Sequence, residues 1–177
     1  MKIAAQEKGK SKRTRRSEQM ILFAVANRMF SISAAAVQEI RSTDSLAGSA
    51  NEIEQSEVAK VRHTLERSRQ TYFVVNAGAH FGLPVTRPTL VLILRQLRVA
   101  VLVDRIERMA EIAAIHALPR ALAGDERRWY RGLTYMDDHV IPVIQPAGFL
   151  TVDEFRRLDR VASASTIRSD LEGAFQA

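Results

Sequence analysis

Leu90-Val91-Leu92-Ile93-Leu94 and Val99-Ala100-Val101-Leu102-Val103 are two short, almost wholly apolar runs with Arg95, Gln96, Leu97 and Arg98 between them. Five residues are too few for a stable helix, and β-branched side chains favour a pleated surface. The pair therefore predicts a hairpin, and the lack of polar alternation predicts that both of its faces are covered. The same pattern recurs on either side. Upstream, the apolar run Met20–Ala26 is followed by Asn27-Arg28 and by the alternating Met29-Phe30-Ser31-Ile32-Ser33, which reads as a second hairpin. Downstream, Arg131–Tyr135 and Val140–Ile144 flank Met136-Asp137-Asp138-His139, where adjacent aspartates suit a turn. Thr71–Val75 is another strand, interrupted by Phe81-Gly82-Leu83-Pro84. Ala34–Ile40 reads as one helical turn leading into a strand, and the Ser/Asn/Glu-rich residues 42–60 as a loop.

A helix of several turns is expected at the end. Thr151-Val152-Asp153-Glu154 has the form of a capping box, and Phe155, Leu158 and Ala162 follow at helical spacing. Ile167, Leu171 and Phe175, four apart, suit a second amphipathic helix or a frayed end. Many short strands with tight turns predict an all-β barrel fold.

The charge of +6 is unevenly placed. Residues 1–17 hold seven Lys and Arg against Glu7, while the remainder of the 177 residues balances 19 basic against 19 acidic side chains. The tail has two readings: a disordered solubilising leader, or an electrostatic contact to nucleic acid or an anionic membrane surface. No apolar run reaches the roughly 18 residues needed to span a bilayer. Met20–Ala26 is too short for a secretory signal, so the expected location is cytoplasmic. With no cysteine there is neither a disulfide nor a thiolate metal site. His63, His80, His116 and His139 fall in no metal-ligand spacing. There is no nucleophile elbow and no Gly-rich phosphate loop, so neither an enzyme nor a cofactor is expected. Trp129 and Tyr130, beside Arg127, Arg128 and Arg131, suit either packing under a barrel rim or interface anchors.

The order of these segments resembles the CheW-type chemotaxis coupling domain from about Gln19 to Leu158. Val37-Gln38-Glu39-Ile40-Arg41 is similar to that family's "VxEI(R)" segment. Val61 to Pro84 runs without a gap along the stretch that usually reads like "GVxNLRGxxxPVxDLRxxFGLP". Val101-Leu102-Val103-Asp104, with Ile106, is similar to "GLxVDxV". Ala117-Leu118-Pro119 resembles the "xxLP" turn. Trp129 to Leu133 and Val140 to Ile144 resemble the hairpin that follows.

The resemblance implies two SH3-like five-stranded β-barrel subdomains with a short C-terminal helix, occupying residues 18–162 between the tail and an extension, 163–177, that is either helical or a frayed end. It also implies a non-catalytic adaptor whose partners are the regulatory domain of a CheA-type histidine kinase and the cytoplasmic tip of a chemoreceptor, with no specific nucleic acid and no membrane insertion. The protein-binding residues carried over are Val37, Glu39, Ile40, Arg41, Arg67, Ser68, Arg69, Val103 and Asp104. Glu66-Arg67-Ser68-Arg69 departs from the family's "NLRG", with Ser68 at the usual Arg position and Arg69 at the usual Gly. His63 and Ala100 also replace glycines.

Overall fold

The computed structural model describes residues 17–46, 50–53, 56–122 and 124–174, with side chains described as far as residue 163. Among these described residues eleven strands form two sheets. The first comprises β1 (Glu18–Val25), β2 (Arg28–Ser33), β9 (Arg105–Ile112), β10 (Tyr130–Met136) and β11 (His139–Ile144), in the order β10-β11-β2-β1-β9. The second comprises β3 (Val37–Ser42), β4 (Ala50–Glu52), β5 (Val61–Arg67), β6 (Gln70–Asn76), β7 (Leu90–Leu94) and β8 (Val99–Val103), in the order β3-β7-β8-β6-β5-β4.

One apolar core lies between the sheets. Ile21, Phe23 and Val25 of β1 meet Phe73 and Val75 of β6, Leu92 and Leu94 of β7, and Val101 of β8. The residues that alternate with these point the other way and make two further cores. Met20 and Leu22 join Ile112, Ile141 and Val143 on the far side of the first sheet. Val74, Val91, Ile93 and Ala100 join Leu65 and Tyr72 on the far side of the second. Both faces of the β7–β8 hairpin are thus covered, as its unbroken apolar runs predict.

Both sheets curl. In the first, the chain leaving β9 returns to β10, where His116 and Leu133 exchange two backbone hydrogen bonds of 2.7 and 2.9 Å. The closeness of this crossing accounts for Gly132, because a Cβ there would lie 2.4 Å from the His116 carbonyl oxygen. Among the described residues neither sheet forms a complete ring. The expected pair of five-stranded barrels is therefore observed as two curled sheets, and the second has six strands.

The sixth strand corrects the reading of residues 42–60 as loop. That segment contains a 3-10 turn at Thr43–Leu46 and the short strand β4, which pairs with β5. Their polar composition hid them, since the pairing and not the side chains makes the strand. β5 and β9 were likewise illegible as strands from their own residues. β9, with five charged or exposed positions, is held by its ladder to the buried β1. The first hairpin turns at Ala26-Asn27, one residue earlier than expected. Both residues have positive φ, 47° and 61°, the geometry that matches the twist of flanking strands. Asp137 and Asp138 do the same at 48° and 62°.

The capping box forms as expected: Thr151 N–H donates to Glu154 Oε2 at 2.8 Å, and Glu154 N–H to Thr151 Oγ1 at 3.2 Å. The helix it starts, Val152–Ala174, is a single element of 23 residues, not a short helix followed by a separate one. Phe155, Leu158, Val161 and Ala162 pack on the central core. Phe175 and the basic residues from 1 to 16 lie outside the described residues.

Candidate functional site at the β3 edge

Among the described residues β3 pairs only with β7 and is therefore an edge of the second sheet. A register shift between Val37 and Glu39 marks a bulge, which re-aims the residues after it. Val37 stays in the central core at 7% exposure. Glu39 and Arg41, two apart on one face, are half-buried and form an ion pair of 2.9 Å. Ile40, on the other face, is 40% exposed, unusual for a large aliphatic side chain.

The second half of the site comes from the β5–β6 hairpin. Arg67 ends β5 and Gln70 opens β6, so Ser68-Arg69 is a two-residue turn, with φ of 49° and 61°. Arg67 reaches Glu39, its Nη1 lying 2.5 Å from Oε2. Nη1 is buried and makes no aligned hydrogen bond among the described residues, so this contact is Coulombic. Ser68 and Arg69 are exposed beside it. The result is one carboxylate, Glu39, held between two guanidiniums, with a third guanidinium, Arg69, on the adjoining turn.

Of the nine residues expected to bind a partner, Glu39, Arg41 and Arg67 come together, and Ile40, Ser68 and Arg69 flank them. Val37 and Val103 do not: both are buried in the central core and present no surface. Asp104 belongs to a different place. The Arg67–Arg69 turn opens β6, and β6 runs parallel to β8, which Asp104 follows, so the two lie toward opposite ends of the sheet. Asp104 Oδ2 accepts from Ala26 N–H at 2.7 Å and its Oδ1 from Thr86 Oγ1 at 2.7 Å. Its own N–H donates to Ala24 O at 3.0 Å. It clamps the first hairpin to the Pro84–Pro88 loop, a structural duty that occupies both carboxylate oxygens. Thr86 is the partner that sequence reasoning missed, since nothing in a lone threonine between two prolines announces it.

A second cluster also went unread. Asn76 caps the short helix α1 (Ala77–Phe81), accepting from Ala79 N–H at 3.0 Å, and Gly82 ends it at φ 63°. This turn buries His80 at 5% exposure against Trp129, Phe149 and Phe81, with ring centroids 4.7, 5.1 and 4.8 Å away. Trp129 is thus a packing residue. Burial lowers the His80 pKa to about 3; Lys60 pushes the same way and Glu154 opposes. Among the described residues its Nδ1 has no hydrogen-bond partner, and the ring behaves as a neutral aromatic filler. Among the described residues no three His, Asp or Glu side chains are placed to hold a metal ion.

Edge backbone, surface charge and a half-exposed isoleucine thus meet at one end of a two-sheet β domain. The family model of the CheW-like domain matches residues 19–154, and the chain belongs to that family. Its fold is similar to the crystal structure of the scaffolding protein TtCheW from Thermoanaerobacter tengcongensis, with a TM-score of 0.64 and 15% identity over 77% of this chain and 95% of that one. No curated protein sequence matches the chain. It is a chemotaxis-type adaptor in a family of non-catalytic scaffolds. Among the described residues no helix is long and apolar enough to cross a membrane.

Proposed function

We propose that this protein couples chemoreceptor cytoplasmic tips to the regulatory domain of a CheA-type histidine kinase, in the cytoplasm and without turnover. The observation that carries the reading is the Glu39–Arg67 contact. It joins the segment similar to "VxEI(R)" to the turn that replaces "NLRG", so the two stretches that the family resemblance marks for binding make one surface. The face consists of Glu39, Ile40, Arg41, Arg67, Ser68 and Arg69. An edge strand offers a partner its free backbone groups, and Ile40 offers an apolar contact beside them. Three arginines against one carboxylate favour a partner with exposed acids, which sets register and association rate more than raw affinity.

Loss of the guanidinium at the usual Arg position is offset by Arg67, one residue earlier. A one-residue shift on a strand reverses the face, and here Arg67 turns toward β3. The test is titration calorimetry of the whole protein against the kinase regulatory domain and, separately, a receptor-tip hairpin. Saturable binding to each, weakened by Ile40→Asp, is expected. Failure to bind either fragment sinks the proposal.

A further inference from the structure

Glu39 gives one carboxylate oxygen to each of two guanidiniums. Arg41 Nε lies 2.9 Å from Oε1, and Arg67 Nη1 lies 2.5 Å from Oε2. Neither hold is strong. The side chains of Glu39, Arg41 and Arg67 are 32%, 40% and 27% exposed, and ion pairs that water can reach contribute little. Arg41 is two residues from Glu39 on the same strand, so that pair ties no element to another. Arg67 Nη1 is buried and has no aligned acceptor among the described residues. A desolvated donor without an aligned acceptor is costly, and Glu39, close but off the N–H axis, does not remove that cost. An oxygen arriving along the N–H direction does.

The surroundings favour an oxygen that carries charge. Arg69, on the Ser68-Arg69 turn, is exposed and has no ion-pair partner among the described residues. Glu66, beside Arg67 at the same end of the hairpin, is turned to Thr71 and accepts from its Oγ1 at 2.5 Å. Arg41, Arg67 and Arg69 therefore stand around a single carboxylate, that of Glu39. The N–H fork of a guanidinium matches the two oxygens of a carboxylate. Among the described residues β3 is a sheet edge, so the backbone of a partner can approach alongside it. A second acidic side chain brought here meets an excess of positive charge.

We infer that Arg41, Arg67 and Arg69 form a carboxylate-binding site whose resident occupant is Glu39, and that an aspartate or glutamate side chain of a protein partner displaces it. Glu39 is then an internal competitor: it partly neutralises the free site and keeps the bound state reversible. The inference rests on the reading of this face as the partner surface, and adds the chemical group that the partner must bring.

Arginine Nε–H resonances of the whole protein report the site directly. The probe is tetraglutamate peptide, with tetraglutamine as the control, on the parent, Glu39→Gln and Arg67→Lys. Tetraglutamate is expected to shift the Arg41 and Arg67 resonances of the parent saturably, and tetraglutamine to leave them in place. Glu39→Gln removes the competitor and keeps its shape, and should bind tetraglutamate at least about three-fold more tightly. Arg67→Lys keeps the charge and loses the fork, and should bind it more weakly. Amide resonances of β7 and β8 check that both variants keep the fold. Unmoved Arg41 and Arg67 resonances in the parent overturn the inference, as do shifts confined to Arg69 and equal or weaker binding by Glu39→Gln. The kinase regulatory domain and the receptor-tip hairpin are then titrated in the same way. If neither binds while tetraglutamate displaces Glu39, the coupling function fails and the carboxylate site stands. If either binds and Glu39→Gln binds it no more tightly, the coupling function stands and the carboxylate site fails.

Discussion

Glu39 and Arg67 make an ion pair at 2.5 Å although β3 and β5 stand four positions apart in the second sheet. Flat, such strands would lie roughly 19 Å apart at about 4.8 Å per step. The sheet must therefore curl until its first strand approaches its fifth, and this pair ties the curl at the surface.

Both side chains are about one-third exposed, so the pair contributes less than about 1 kcal/mol to stability. Arg67→Glu is accordingly expected to lower the urea midpoint only slightly while weakening the kinase fragment ten-fold or more. The double exchange, Glu39→Arg with Arg67→Glu, restores the internal attraction and not the surface presented to a partner. Recovery of the midpoint without recovery of affinity in calorimetry is the expected result.

Arg69 occupies φ 61° at the position where the family usually has glycine. A left-handed conformation costs an L-residue about 1–2 kcal/mol, partly offset by the extra freedom glycine has when unfolded. Arg69→Gly should therefore raise stability by roughly 0.5–1 kcal/mol, read as a higher denaturation midpoint. If affinity for the partner falls at the same time, Arg69 is retained for its charge at the expense of the turn.

Legibility in the sequence followed the source of each element's stability. β1, β7 and β8 bury their own side chains, and their apolar runs declared them. The Asp137-Asp138 turn and the Thr151–Glu154 box declared themselves through local hydrogen-bonding chemistry. β4, β5 and β9 take their structure from neighbours, so their charged residues carried no signal. The site divided in the same way. Glu39, Arg41 and Arg67 were reachable through the family resemblance. The bulge that separates Val37 from Glu39, and the Thr86 partner that draws Asp104 away from the surface, are tertiary facts with no local mark.

Gly132 and Gly82 offer a contrast between space and conformation. At Gly132 an added Cβ meets the His116 carbonyl at 2.4 Å and Ile115 Cγ2 at 2.5 Å. The backbone must move, and the two hydrogen bonds between His116 and Leu133 move with it. Gly132→Ala should cost about 2 kcal/mol or more. At Gly82 the φ of 63° alone opposes a side chain, with nothing within 4 Å, so Gly82→Ala should cost about 1 kcal/mol. Thermal melts of the two variants should rank in that order.

His80 sets the acid limit of the fold. Its pKa is near 3 in the folded protein against 6.5 when free, so the unfolded chain binds the extra proton between those values. Stability is then complete above pH 6.5 and declines as pH falls toward 3, at up to about 1.4 kcal/mol per pH unit. Glu154 adds to the decline below its ordinary range. Its carboxylate is held low by the Thr151 backbone and by Lys60, against the opposing effect of burial, and it loses these contacts on protonation. Replacing His80 with Phe removes the proton-binding group and the unpartnered Nδ1 while keeping a ring among Trp129, Phe149 and Phe81. Denaturation midpoints measured from pH 7 to pH 4.5 should fall steeply for the parent and remain nearly level for His80→Phe. Parallel slopes in the two proteins would assign the acid sensitivity to the carboxylates instead.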